Sequence, residues 1–90
     1  MIRHEQLDTE AAGTLNIGDV FKFQPGGPGT AWQTYAFHGH LIHPGGGEWV
    51  TCYGGDPNPK GARAWRSFEV ARIRREAVFD RLATARRHAA

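Results

Sequence analysis

Three histidines stand close together in the run His38-Gly39-His40-Leu41-Ile42-His43. On a strand, His38 and His40 face the same way about 7 Å apart, a spacing that lets two imidazoles reach one zinc ion. Cys52, on the next predicted strand, is a third soft donor. Simple alternation turns His43 and Cys52 away from the His38/His40 pair, and no Cys-x-x-Cys or His-x-x-x-His element accompanies them. Solvent-facing strand histidines are the simpler reading, so neither a metal nor another cofactor is expected. Cys52 as a nucleophile with a histidine partner is a weaker idea still, because a lone cysteine on a strand is usually a small core residue. Ninety residues leave no room for a deep cleft, and no acid–base pair stands out, so the chain is expected not to be an enzyme.

Arginines and aromatic rings offer a different chemistry. Residues 1–60 carry three cations against six carboxylates, and residues 61–90 carry eight arginines against three, a balance of −3 and +5 behind the total of +2. Those arginines are Arg63, Arg66, Arg72, Arg74, Arg75, Arg81, Arg86 and Arg87. Guanidinium groups bind phosphates bidentately and stack on bases, so a basic C-terminal third suggests a polyanionic partner. On one continuous helix Arg74 and Arg81 share a face, with Arg75 and Arg86 within about a turn of it. Two facts weigh against this. Glu69, Glu76 and Asp80 lie within salt-bridge reach, and an excess of arginine over lysine also follows from a GC-rich coding sequence.

Trp32, Trp49, Tyr53 and Trp65 are many large rings for a short chain. Trp32, Trp49 and Tyr53 on one sheet face would make a platform for stacked bases or a peptide. The alternative is that they cover the core beneath the C-terminal helix. The glycine-rich runs Pro25-Gly26-Gly27-Pro28-Gly29 and Pro44-Gly45-Gly46-Gly47 lack a following Lys-Ser/Thr and open no helix, so they are loops rather than phosphate cradles.

The elements that must position these groups follow from periodicity. Residues 1–13 are polar and are expected to form a loose arm, or one helical turn from Glu5 to Ala12. Gly18-Asp19 suits a turn into a strand over Val20 to Gln24. Trp32 to His43 is the longest predicted strand, with Tyr35, Phe37, Gly39 and Leu41 as its core face and Trp32, Thr34, Ala36, His38, His40 and Ile42 opposite. Pro44 to Gly47 joins it to Glu48–Tyr53 as a hairpin, in which Val50 and Cys52 share one face and Trp49, Thr51 and Tyr53 the other. A loop over Gly54 to Gly61 precedes a weakly alternating segment, Arg63 to Val70. From about Ala71 the period becomes helical, predicting one amphipathic helix from Arg72 to about His88.

The stretches LNIGDVFKF, TYAFHGHLIHPGGGEWVTCYGG and RAWRSFEVARI together resemble an SH3-like barrel of the Tudor or KOW type, over roughly residues 14–74. The closing W-R-S-F and R-I pattern is also similar to small uncharacterised proteins of actinobacteria and their phages. The strand pattern predicts a mainly β domain, a small half-open barrel of four to five short antiparallel strands over residues 14–71, which the resemblance implies is SH3-like; the helical tail over 72–90 follows from the change of period and lies, from Arg74 onward, outside the resemblance. The resemblance implies a binding module and no particular ligand.

The chain is thus expected to be a small non-enzymatic binding module associated with nucleic acid. Arg66, Arg72, Arg74, Arg75 and Arg81 would contact phosphates, and Trp32, Trp49 and Tyr53 would stack on bases. The alternative is a protein–protein adaptor, phage-encoded and acting on a host factor, or a homodimer, using Val78, Phe79 and Leu82 of the helix. No signal peptide or membrane-spanning run is apparent, and a single cysteine fits a reducing cytoplasm.

Overall fold

The structure, a computed structural model, describes residues 1–54 and 65–89. In chain order it has β1 (Ile2–His4), β2 (Gln6–Asp8), β3 (Thr14–Asn16), β4 (Val20–Phe23), β5 (Gln33–Ile42), β6 (Glu48–Gly54), β7 (Trp65–Glu69), α1 (Val70–Glu76), β8 (Val78–Phe79) and α2 (Arg81–Ala89). The protein is mainly β with short helices at the C-terminal end. No helix among the described residues is long and apolar enough to cross a membrane.

One antiparallel sheet dominates, in the order β7-β6-β5-β4-β8, with β1 pairing the far half of β5. The sheet does not close into a barrel, since β8 has only two residues and among the described residues pairs with β4 alone. The predicted hairpin is present: Gly46 N–H donates to the His43 carbonyl and His43 N–H to the Gly47 carbonyl, closing the β5–β6 connection. Phe21, Phe23, Tyr35, Phe37, Val50 and Cys52 line the inner face. There they meet Leu7, Leu15, and Val70 and Ile73 of α1.

Three expectations need correction. The arm over residues 1–13 is folded. β1 adds to the sheet, and β2 and β3 pair with Leu7 opposite Leu15, both buried. The Glu10 N–H donates to the Arg74 carbonyl and ties this segment to α1. β2 and β3 are three residues long and each docks through one apolar side chain, so no alternation can show.

The single helix from Arg72 to His88 is two helices. Ala77 is extended (φ −67°, ψ 137°), and Val78–Phe79 pair with Lys22 and Phe21 of β4. Phe79 gains the core by crossing the sheet edge, which outweighs helix continuity at a β-branched and an aromatic residue. Asp80 then restarts the helix as its N-cap, accepting from the Ala83 N–H at 3.0 Å.

The third correction concerns β5. The pairing with β6 runs Phe37 to Cys52 and then Gly39 to Thr51, so His38 is the extra residue of a β-bulge. Tyr35 and Phe37 face the core as expected. Beyond the bulge the phase reverses, and His40, paired with Val50, points inward while Gly39 and Leu41 point outward. The predicted loop over Gly54 to Gly61 and the start of the Arg63–Val70 segment lie largely outside the described residues.

Candidate binding face

Pairing registers sort the aromatic residues. Phe68 and Val50 are opposite one another on the inner face, so Trp65, Ser67 and Glu69 of β7, and their partners Tyr53, Thr51 and Trp49 of β6, lie on the outer face. Gly39 and Leu41 continue that face across β5, and Lys22, Thr34 and Val78 extend it over β4 and β8. The rings on it are open to water: Trp32 is 53% exposed, Trp65 51% and Trp49 37%.

The outer face has two stations. At the first, the rings of Trp65, Tyr53 and His38 meet edge to face. Their centroids are 5.2 Å apart for Tyr53–Trp65, 4.9 Å for His38–Trp65 and 6.5 Å for His38–Tyr53. The bulge swings His38 into this cluster. Arg3, opposite Leu41 on β1, lays its side chain across Gly39 and donates from Nη2 to the His38 carbonyl at 2.6 Å. A Cβ at Gly39 would sit 2.9 Å from Arg3 Nε, so the glycine makes room for the guanidinium. At the second station, Trp32 with Lys22, Thr34 and Val78 lines a groove of about 430 Å3, and Lys22 Nζ stands 3.9 Å from Asp80 Oδ2. Trp32, Trp49 and Tyr53 therefore share a face but form no single platform. Trp65, which the sequence reading counted without assigning, and Arg3, in the presumed arm, complete the first station.

Among the described residues, the arginines of the C-terminal third do not share one surface. Arg72 is a structural brace. It donates to the Gln24 and Pro25 carbonyls at 3.0 and 3.2 Å and to Glu76 at 3.3 Å, and its guanidinium lies 4.6 Å from the Phe23 ring centroid. Arg72→Ala should lower stability by about 2 kcal/mol, since charge-assisted bonds to two carbonyls disappear. A urea melt measures this, and an unchanged midpoint would contradict the brace. Arg74 and Arg75 are exposed on α1, the helix that buries Val70 and Ile73 against the inner face. Arg81 lies on α2, so Arg74 and Arg81 sit on separate helices. Arg66 is half-buried, with Nη1 donating to the Trp65 carbonyl at 3.1 Å. The alternative trio is likewise dispersed. Phe79 packs on the core, Val78 is on β8, and only Leu82, 62% exposed, is on a helix.

His38 and His40 point to opposite faces and cannot share an ion. His40 is buried, with Nε2 2.7 Å from Glu48 Oε1 and its ring 5.6 Å from that of His4. Among the described residues no three potential metal ligands converge. Cys52 is fully buried, and burial pushes its thiol up to about 12 despite the opposing Arg66 charge. Native protein should therefore resist a thiol-specific disulfide reagent at neutral pH and react only on unfolding. The same shift removes stability as pH rises. Above about 9 the unfolded thiol ionises while the folded one stays protonated until about 12, so stability declines across that window. Rapid labelling of the folded protein would contradict both statements.

Comparison with protein-family models, curated proteins and solved structures found no match to this chain.

Proposed function

We propose that this protein is a small non-enzymatic binding module whose ligand is nucleic acid, held on the outer face of the sheet. The observation that carries the reading is the wet aromatic face, with Trp65, Trp49 and Trp32 each more than a third exposed and Tyr53 beside them. Bases stack on such rings with little sequence preference, and the basic balance of the chain favours a polyanion. The SH3-like resemblance is compatible with a binding role and belongs to this reading as a matter of sequence pattern. A reducing compartment suits the single buried thiol.

Titrating the tryptophan fluorescence with single-stranded and duplex DNA and RNA across a salt series tests the proposal. Salt-sensitive quenching is expected, strongest with single strands, whose bases are free to stack. No change at any salt would overturn it. Leu82 and Val78, 62% and 42% exposed, favour a second reading, a protein partner or a second copy of the chain. In that case the solution mass should exceed the monomer and fall in Leu82→Arg.

A further inference from the structure

We infer that the first station is a one-nucleotide site for single-stranded nucleic acid, with the base on Trp65 and Tyr53 and its phosphate on Arg3. The inference rests on the nucleic-acid reading and names the cation that serves it. An anion bound beside a stacked base needs a positive charge on the same face, within a side chain's reach of the rings. Among the described residues the α1 arginines fail this test, because α1 packs against the inner face and Arg72 is committed to backbone carbonyls. Arg3 meets it. Its Nη2 lies 3.3 Å from a ring nitrogen of His38, and that ring touches both Tyr53 and Trp65.

Arg3 is also held in place before any ligand arrives. The bond to the His38 carbonyl and the bare Gly39 backbone beneath it fix the stem, so little side-chain entropy remains to be lost on binding. A guanidinium has five N–H donors, and the His38 carbonyl and ring do not use them all. Glu5 stands 3.8 Å away across a largely exposed pair, a contact weak enough for a phosphate to replace. A duplex is excluded by the same geometry, since its bases are already stacked on one another and its backbone could not follow both a ring face and a cation a few ångströms to the side.

The test compares folded wild type, Arg3→Gln, Arg3→Lys and Arg75→Gln in titrations with a single-stranded thymidine oligonucleotide over a salt series. On a single strand one phosphate contact contributes about 0.7 to the slope of log affinity against log salt. Arg3→Gln should reduce that slope by about 0.7 and weaken low-salt binding by about three- to tenfold. Arg3→Lys should keep the slope, and Arg75→Gln should match wild type. Gly39→Ala, which displaces the guanidinium without removing it, should weaken binding as Arg3→Gln does. A slope unchanged in Arg3→Gln while wild type binds would overturn this assignment and leave the nucleic-acid reading standing. Absence of binding by wild type at every salt would overturn both.

Discussion

Gly54→Ala should lower the stability of this domain by about 3 kcal/mol or more, the largest effect of an added methyl group at any described glycine. Gly54 ends β6 at φ +119°, outside even the small left-handed region that other residues visit. Strain of that kind costs roughly 1–3 kcal/mol at one residue. Space is lacking as well, because a Cβ there would lie 2.7 Å from the Thr34 carbonyl oxygen. That oxygen is backbone and cannot rotate away, so either β5 or β6 must shift at the Tyr35–Gly54 pair. A domain of this size has about 5–13 kcal/mol in all, and its thermal midpoint should fall by roughly 12–25 °C. Gly45→Ala is the control: it sits in the hairpin loop with nothing within 4 Å of its would-be Cβ. Differential scanning calorimetry of both variants decides the matter, and equal midpoints would refute the account.

Trp65→Ala should weaken single-strand binding by about 5- to 150-fold while leaving the fold intact. Base–aromatic stacking contributes roughly 1–3 kcal/mol per base, and each 1.4 kcal/mol is a tenfold change. Half of the Trp65 surface faces water, so truncation opens no cavity. The loss to folding is limited to its edge contacts with Tyr53 and His38, about 1 kcal/mol. Phe68, on the same strand with the opposite orientation, packs on the core against Phe23 and Tyr35. Phe68→Ala should do the reverse, costing stability first. Fluorescence anisotropy of a labelled oligonucleotide, paired with a circular-dichroism melt, separates the two effects. Undiminished affinity in folded Trp65→Ala would remove the stacking site.

How much of this was legible in the sequence depends on how local each determinant is. The β5–β6 hairpin was readable because Pro44 to Gly47 can form little but a turn and alternation flanks it on both sides. The inward placement of Tyr35, Phe37, Val50 and Cys52 followed from the same alternation. The bulge at His38 leaves no compositional mark, yet one extra residue reverses the phase, and so the histidine pair read as neighbours points to opposite faces. Val78 and Phe79 satisfy a helical period as well as a strand, and only the presence of Phe21 across the sheet edge decides between them. Asp80 was the available clue, a favourable N-cap in the middle of the expected helix. Trp49 and Tyr53 could be assigned to one face from β6 alone, but Arg3 joins them through a pairing 38 residues away in sequence, between Arg3 and Leu41.

The late position of β8 has a consequence for how the chain reaches its native state. β4 is made well before β8, and one edge of it pairs with β5. Its other edge is covered only when Val78 and Phe79 arrive, and the Thr84 hydroxyl then receives the Val20 N–H across a separation of 64 residues. Closing so long a loop precedes any reward from the contact, which slows the final step. Until then Val20 to Phe23 present a nascent, apolar strand edge to any other chain nearby. Refolding should accordingly show a concentration-dependent loss of yield, which Phe79→Asp, by delaying the capping of that edge, makes worse.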